Sequence, residues 1–376
     1  MDIKIDCDEF QSISDLSVKV VQKAAEKAGF IEHPDGIYFG MSDAVYHADK
    51  ALGSTGLKKL VGNAPDFWWE SWMNPAREEN DDTPAKVFGR QLHLCVLEGR
   101  DQFIAKYAPE PNSDNYQGCL KTADDLRDFL SKKKASKSGS KAELIARAKQ
   151  FPDCPAIFDE VLILAQKSGK ELIKFKDYAK ILAASAFIKT NTTLSNAFEG
   201  GQPEVSVFWT ADGVRFKARF DYLKLNAITD LKSIANRTDK EFTKACCDAV
   251  ASYDYIISAE HYTEGRRQLK RLLNEGRVFG SYDPEWLAKV AANEVFAFVF
   301  VFWQKDGAPI SHGIKLSPGN PLFSYARSMI AQAVDNYRTY LAEFGTETAW
   351  VPSTPLEELD ETDLPVWYQQ RLMTGS

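Results

Sequence analysis

The sequence predicts a mixed α/β fold in which helices flank a β-sheet and a helical insertion interrupts the chain. Three observations lead to this fold class. Alternating, β-branched segments lie near the middle of the chain, helical periodicity surrounds them, and a basic helix–loop–helix pattern precedes them. With 376 residues, 44% of them hydrophobic and 12% aromatic, the chain can bury a large core as one domain with insertions or as two domains.

The middle of the chain predicts a β-meander of three strands. Residues 204–209 are typical of a strand, and residues 214–223 alternate between apolar and polar side chains as a half-buried strand does. The Asp-Gly pair at 212–213 between them is a strong signal for a tight hairpin turn. A second turn at 224–226 precedes residues 227–233, which are apolar and β-branched enough to form the third strand.

Two carboxylates and one ammonium group gather at one end of this meander. Successive side chains of a strand point to opposite faces, which puts Asp221 at the end of the polar face of the second strand. For the same reason, Asp230 and Lys232 point to the same face of the third strand. Phosphodiester hydrolysis requires charge neutralisation and an activated water, which one or two divalent ions can supply. Asp221, Asp230 and the backbone carbonyl of Leu231 offer the oxygen ligands that Mg²⁺ prefers. Lys232 would then orient the water or stabilise the developing charge. The alternative is a solvated strand end, because an Asp-x-Lys triplet is common by chance.

These residues resemble the catalytic core of the PDDEXK nuclease superfamily, and the surrounding sequence is similar to its RecE-type branch, the exonuclease-eight family of phage recombination nucleases. The blocks that carry the resemblance are 36–38, 41–47, 53–57 and 64–65 near the N-terminus, 83–85, 89–93 (Gly-Arg-Gln-Leu-His) and 97–98 around a helical histidine, and 204–209, 217–221 (Lys-Ala-Arg-Phe-Asp) and 230–233 in the meander. The resemblance implies a restriction-endonuclease-like core with a central mixed sheet.

The resemblance also implies that His93 contributes to the metal site. Gly89 lies one helical turn earlier, and a residue without Cβ there leaves room for a metal and a phosphate. Glu204 is placed like an acidic ligand of related nucleases, although a glutamate at a strand start is usually just solvated. An imidazole ligand suits Mn²⁺ better than Mg²⁺, so Mn²⁺ is expected to substitute for Mg²⁺. The alternative for His93 is a buried histidine packed among leucines.

A helix predicted at 255–273 contains a departure from the family. There the family carries a Tyr, a Gln and a Tyr on the catalytic face. Tyr255 and Tyr262 match and are expected to contact DNA, but Ser258 stands where the family has Gln. A serine can still bind a water but reaches less far, so the contact made by the glutamine is in doubt.

An insertion between the histidine helix and the meander is similar to a SAP module, a small helix–loop–helix that binds duplex DNA. Its Ser-Gly-x-Lys-x-x-Leu-Ile signature matches residues 138–145, and Lys137 and Lys141 are the expected phosphate contacts. A second basic cluster supplies Arg266 and Arg267 as further expected DNA contacts. The alternative for the insertion is a basic, solvated hairpin that only spaces the fold.

These patterns divide the chain into four parts. They are residues 1–110, the N-terminal part of the core with the histidine helix; 118–152, the SAP-like insertion; 153–352, a helical segment and the catalytic core; and 353–376, an acidic C-terminal tail. The six cysteines show no Cys-x-x-Cys spacing and none follows Cys247, so neither a zinc knuckle, a disulfide framework nor an iron–sulfur cluster is expected.

Charge and hydropathy bound the location and the partners. The net charge of −7 is carried in part by the acidic tail, so local basic clusters matter more for DNA than the total does. No apolar run approaches the roughly 20 residues that span a bilayer. The acidic start at residues 1–8 is unlike a secretory signal. We therefore expect a cytoplasmic protein without a membrane partner. The resemblance implies that it is encoded by a phage or prophage in a bacterial host.

The leading functional hypothesis is a Mg²⁺-dependent exonuclease that resects linear double-stranded DNA from 5′ to 3′ for single-strand-annealing recombination. Its direction, a ring-shaped homo-oligomer around DNA ends and a single-strand annealing partner are implied only by the resemblance. Two alternatives remain open. One is an endonuclease or single-strand nuclease of the same superfamily, and the other is a non-catalytic DNA-binding protein that uses the SAP-like insertion.

Overall fold

A computed structural model gives the structure of residues 30–77, 83–236 and 240–374. The acidic start at residues 1–8 lies outside these ranges. The fold is built on a mixed sheet of seven strands in the order β7-β1-β4-β5-β6-β8-β9, next to a small parallel pair formed by β2 and β3. The strands are β1 (Gly36–Tyr38), β2 (Tyr107–Pro109), β3 (Glu171–Ile173), β4 (Gly201–Ala211), β5 (Val214–Lys224), β6 (Ala227–Ile234), β7 (Val278–Phe279), β8 (Ala297–Gln304) and β9 (Ser311–Leu316).

Helices cover this sheet, which confirms the predicted mixed α/β class. They are α1 (Asp43–Ala48), α2 (Ser54–Gly62), α3 (Ala64–Glu70), α4 (Pro84–His93), α5 (Arg100–Lys106), α6 (Ala123–Lys132), α7 (Lys141–Ala148), α8 (Phe158–Lys167), α9 (Phe175–Thr190), α10 (Phe242–Ser252), α11 (Tyr255–Arg267), α12 (Leu269–Asn274), α13 (Pro284–Ala292), α14 (Pro321–Phe344) and α15 (Val366–Thr374). A π-helical turn, Leu94–Glu98, continues α4.

The predicted meander is present as β4, β5 and β6, which pair antiparallel in sequence order. The predicted hairpin between β4 and β5 has two residues with positive φ, Asp212 at 48° and Gly213 at 76°. Two consecutive positive φ values are the signature of the type I′ turn, which explains the preference for Asp-Gly at this place. Beyond the meander, β6 pairs with β8 in parallel along its whole length, so the sheet is mixed as expected.

The middle strand, β5, is buried on both faces, which corrects the expectation of a half-buried strand. Its polar side packs under the N-terminal segment, so that Lys217, Arg219 and Asp221 are each at most 9% exposed. Lys217 donates from Nζ to the carbonyls of Tyr46 and Asp49 at 2.9 and 2.6 Å. Alternating polarity alone could not reveal a cover supplied by such a distant part of the chain.

The helix predicted at 255–273 is broken in two. α11 ends at Arg267 and α12 begins at Leu269, with Gln268 as the cap that they share. The amide of Gln268 donates to Glu264 Oε1 at 2.7 Å, which ties the junction to the preceding turn. The first of the two helices packs against the sheet near β5.

The insertion forms the predicted helix–loop–helix with its own small core. Helices α6 and α7 pack together, and each begins with a capping box in which the cap side chain and the third residue bond each other's backbone N–H. The buried residues of this core are Leu120, Leu126, Leu130, Leu144, Ala148 and Ile157. A backbone bridge between Leu120 and Ile157 closes the base of the unit.

The C-terminal segment lies mostly exposed. Its last helix, α15, has no buried residue, and Trp367 is 65% exposed. No helix in the described ranges is both long enough and apolar enough to cross a membrane.

Candidate metal centre

The site begins where β5 and β6 separate. Their ladder consists of Tyr222 with Thr229 and Leu223 with Ile228. One step further, the same register puts Asp221 opposite Asp230. There a side chain replaces the backbone as hydrogen-bond acceptor between the strands, because Asp221 Oδ2 accepts the N–H of Leu231 at 2.7 Å. The two carboxylates therefore stand at the opening between two strands of a rigid sheet.

Asp230 and Lys232 form a buried ion pair on β6. Lys232 Nζ lies 2.6 Å from Asp230 Oδ2, and Asp230 is fully buried. Burial raises the pKa of Asp230 above its ordinary value, and Asp221 adds to this rise against the opposing effect of Lys232. Burial would lower the pKa of Lys232, but Asp230 and Asp221 raise it far above its ordinary value, so the ammonium group stays charged. Asp230 Oδ1 has no hydrogen-bond partner in the described part of the chain.

His93 enters the opening from the last residue of α4, immediately before the π-helical turn. Its Nε2 lies 3.2 Å from the carbonyl oxygen of Leu231 and 3.8 Å from Asp221 Oδ2, and its Nδ1 lies 3.8 Å from Glu204 Oε1. Burial lowers the pKa of His93, but Asp221 and Glu204 together outweigh it and raise the pKa to about 9. A positive charge is thus favoured where these carboxylates meet.

Glu204 occupies a strained position on β4. The register of the neighbouring pairs, Pro203 with Tyr222 and Val205 with Phe220, puts Glu204 opposite Asp221. Its φ is 53°, a left-handed value that is unfavourable for a residue with a side chain. Strain of this kind concentrates at functional sites, where surrounding structure holds it in place.

The ligand atoms of His93, Glu204 and Asp221 all lie within 4.8 Å of one another, so these three residues could hold a metal ion. Asp230 lies outside that group, although it stands opposite Asp221 and its Oδ1 has no hydrogen-bond partner among the residues that the structure describes. The donor set is two carboxylates and one imidazole, with the Leu231 carbonyl next to them. Oxygen-rich sites suit Mg²⁺ and Mn²⁺, and one imidazole favours Mn²⁺. The residues present therefore fit a divalent cation.

Space for a bound group is available on the helix that carries His93. A Cβ built at Gly89, one turn earlier, would meet nothing within 4 Å. The helix is open at this position, and an alanine would fit there as well, so the room does not depend on the missing side chain.

An aromatic face from α11 closes one side of the opening. Lys232 Nζ lies 5.4 Å from the centre of the Tyr255 ring. Burial raises the pKa of Tyr262 to about 12, with a further contribution from Asp230. Ser258 is buried on the same helix between the two tyrosines. The structure thus brings both tyrosines close to Lys232 and Asp230, and Ser258 lies between them along the helix.

Sequence reasoning missed a second lysine at this face. Lys58 Nζ lies 4.8 Å from the centre of the same Tyr255 ring, although Lys58 belongs to α2 near the N-terminus. The sequence feature that could have pointed to Lys58 is its position directly after the block at 53–57, which is part of the N-terminal resemblance.

Arg266 is a structural residue, which corrects its prediction as a DNA contact. It is only 2% exposed, and its guanidinium group donates to the carbonyls of Lys224, Leu225 and Ala227 at 2.6 to 2.9 Å. Burial lowers its pKa to about 9. The group therefore holds the turn between β5 and β6, and has no face left for a phosphate.

The other predicted DNA contacts remain at the surface. Arg267 is exposed and lies 3.2 Å from both Glu260 and Glu264. In the insertion, Lys137 is exposed in the loop between α6 and α7. Lys141 Nζ is 2.8 Å from Asp159, so a phosphate would have to compete with that carboxylate.

Comparisons with known proteins identify one family. Residues 69–280 match the family described as a PDDEXK-like domain of unknown function (DUF3799). The crystal structure of a protein named "Putative exonuclease" from Eubacterium rectale is similar, with 15% sequence identity, a TM-score of 0.45 and coverage of 80% of this chain and 88% of that one. No curated protein matches the chain. The range matched by the family contains His93, Glu204, Asp221, Asp230 and Lys232.

Proposed function

This chain belongs to the PDDEXK-like family DUF3799, and from that premise we propose that it is a divalent-metal-dependent deoxyribonuclease. The observation that carries the proposal is the opening between β5 and β6. Two carboxylates and an ion-paired lysine lie there on the strands, and an imidazole reaches them from α4. This is the set of groups that hydrolysis of a phosphodiester requires.

His93, Glu204 and Asp221 would hold the metal, with Asp230 Oδ1 and the carbonyl of Leu231 completing the oxygen ligands. A divalent cation bound there would neutralise charge on the scissile phosphate and lower the pKa of a bound water. We propose Mg²⁺ as the natural ion because most of these ligands are oxygens, with Mn²⁺ as a substitute.

Lys232 acts as the fixed positive charge beside the reacting phosphate. Its contact with Asp230 at 2.6 Å keeps it protonated and limits its movement. A charge that is already in position costs no reorganisation when negative charge develops in the transition state. Lys232 would also donate a hydrogen bond that orients the attacking water.

His93 must be neutral to act as a ligand, because only a ring nitrogen without a proton can donate its lone pair. Its pKa of about 9 before a metal binds means that binding near neutral pH displaces a proton. The carboxylates of Asp221 and Glu204 favour any cation in this place, and a divalent ion satisfies them better than a proton does.

We propose that the substrate is the end of linear double-stranded DNA, digested from 5′ to 3′ for single-strand-annealing recombination. The similarity of the sequence blocks to the RecE-type branch supports this choice. The same similarity supports a homo-oligomeric ring, an annealing partner and a cytoplasmic, phage-encoded enzyme in a bacterial host. An endonuclease or single-strand nuclease of the same superfamily is the second candidate, because a metal site does not select the topology of its substrate.

The DNA contacts proposed near the metal are Tyr255 and Tyr262, and at the surface Arg267, Lys137 and Lys141. Lys132, Lys134 and Lys137 on the insertion can be replaced together by glutamate to test the SAP-like unit. We expect weaker binding of duplex DNA and a smaller dependence of that binding on salt, because phosphate contacts release counterions. If the variant binds duplex DNA with the affinity and salt dependence of the wild type, the insertion does not bind DNA and only spaces the fold.

A comparison of DNA topologies tests the proposed activity. The wild-type protein is incubated with Mg²⁺ and either an end-labelled linear duplex or a covalently closed circle of the same sequence. Digestion of the linear form alone supports the exonuclease, and cutting of both supports the endonuclease. Binding without metal-dependent cutting of either form would show a non-catalytic DNA-binding protein and refute the proposal. The Asp230→Ala variant is the control for contaminating nucleases.

A further inference from the structure

Lys58 lies at the catalytic opening although it comes from the N-terminal part of the fold. It belongs to α2, which packs against α11 and α14. Leu57 and Leu60 of this helix are fully buried, whereas Lys58 is only partly buried. Its Nζ lies 4.8 Å from the centre of the Tyr255 ring. The core contacts of α2 therefore hold the ammonium group of Lys58 at the rim of the site.

Two ammonium groups share that ring. Lys232 Nζ lies 5.4 Å from the centre of Tyr255, and Lys58 Nζ lies 4.8 Å from it. Lys232 is compensated by Asp230 at 2.6 Å. Within the described ranges, no carboxylate forms an ion pair with Lys58, while its neighbour in sequence, Lys59, pairs with Glu70.

The electrostatics at Lys58 favour an anion. Burial and the positive charge of Lys232 together lower its pKa to about 8, against the attraction of Asp230 and Asp254. A partly buried ammonium group without a carboxylate is costly unless another negative group approaches it. A phosphate would be held between this charge and the metal ligands, and would relieve the repulsion between the two lysines.

We propose that Lys58 binds a backbone phosphate of the DNA strand that is being cut. This inference rests on the proposed nuclease function and adds a substrate-binding residue to it. The cation–π contact of Nζ with the Tyr255 ring keeps the ammonium group in position before DNA arrives. Because the phosphate carries its charge before and during the reaction, Lys58 contributes to binding more than to the chemical step.

A lysine pair provides the matched test. Lys58→Met removes the charge and keeps the apolar stem, Lys58→Arg keeps the charge, and Lys59→Met removes the adjacent lysine that pairs with Glu70. Steady-state cleavage of a linear duplex is measured over a series of salt concentrations. Binding of the same duplex is measured with Ca²⁺ in place of Mg²⁺. Thermal unfolding of each variant shows whether it is folded.

For Lys58→Met we expect KM and Kd to rise about tenfold, with a smaller change in kcat. The slope of log Kd against log salt should fall by about one, which loss of packing alone would not cause. Lys58→Arg should stay close to the wild type, and so should Lys59→Met. An unchanged salt slope and KM in folded Lys58→Met would overturn this inference while the nuclease function stands. If the wild-type protein cuts no DNA, the proposed function fails, and the binding slope still decides whether Lys58 contacts a phosphate.

Discussion

The carboxylate of Asp221 accepts the backbone N–H of Leu231 at 2.7 Å, so that one side chain both supports the sheet and belongs to the candidate metal site. Asparagine has nearly the same shape, and its carbonyl oxygen can accept the same hydrogen bond. We expect Asp221→Asn to fold about as stably as the wild type, since the lost attraction to Lys232 and His93 is offset by the lost repulsion with Asp230. Its nuclease activity should fall at least about 100-fold, because even outer partners of metal ligands contribute 10- to 100-fold.

Asp221→Ala separates the two roles of that carboxylate. It leaves the N–H of Leu231 buried without a partner, which typically costs about 1–3 kcal/mol. Chemical denaturation and initial cleavage rates should therefore show both variants inactive but only the alanine variant destabilised. Equal stability of the two variants would mean that the hydrogen bond between Asp221 and Leu231 does not support the sheet.

The strained backbone of Glu204 leads to a stability prediction. At φ 53°, glycine avoids the steric cost that alanine incurs in the left-handed region, which is about 1 kcal/mol or more. We therefore expect Glu204→Gly to be more stable to denaturant than Glu204→Ala, although both should bind metal more weakly. Gln202 on the same strand is the control, because glycine should be the less stable replacement at its ordinary backbone conformation. The same order of stabilities at both positions would rule out strain at Glu204.

Metal affinity should depend on pH through His93. Its pKa of about 9 lies above neutral, so binding of Mn²⁺ at lower pH must displace a proton. Between about pH 7 and about pH 8.5, the apparent affinity should rise roughly tenfold per pH unit, as one proton is released. Calorimetric titrations in buffers of different ionisation enthalpy measure that proton directly. His93→Gln has no proton to lose, so its affinity should be lower and should vary less with pH, and an equal slope would remove His93 from the ligands.

Removal of the buried guanidinium group of Arg266 should affect stability more than DNA binding. Arg266→Met leaves three carbonyls of the turn between β5 and β6 without their donor, at a cost of about 2–4 kcal/mol. Folded protein below the melting transition should keep the wild-type dependence of DNA binding on salt. Lys270→Met, at an exposed position on α12, should melt close to the wild type. A reduced salt slope in Arg266→Met would restore its role as a phosphate contact.

The sequence predicted the meander and the side on which its acidic residues lie, because both depend on local patterns. Asp230 and Lys232 are two residues apart on one strand, so their side chains lie on the same face. The Asp-Gly turn fixes the register between β4 and β5 that brings Glu204 opposite Asp221. Burial of the polar side of β5 was not predictable in this way, since its cover comes from Tyr46 and the residues around it. Hydrophobic periodicity describes one element at a time, and packing between distant segments is outside its reach.

The same limit explains Arg266 and Lys58. A run of basic residues at the end of a helix does not show which of them turns inward, and Arg266 does so to cap a turn some 40 residues earlier in the chain. Lys58 is close to Tyr255 only because α2 packs across α11. In both cases the role of a cation depends on a contact between segments that are far apart in sequence.

Release of acid-soluble nucleotides from a linear duplex tests the central claim most directly. The wild-type protein is compared in Mg²⁺ and in a chelator, beside Asp230→Asn and Lys232→Met, with melting curves as evidence of folding. If the protein is a metal-dependent deoxyribonuclease built on the opening between β5 and β6, the wild type should release nucleotides in Mg²⁺ but not in the chelator. In Mg²⁺, the rate of release by each folded variant should be at least about 100-fold lower than that of the wild type. Equal release in the chelator, or undiminished release by folded Asp230→Asn, would contradict it.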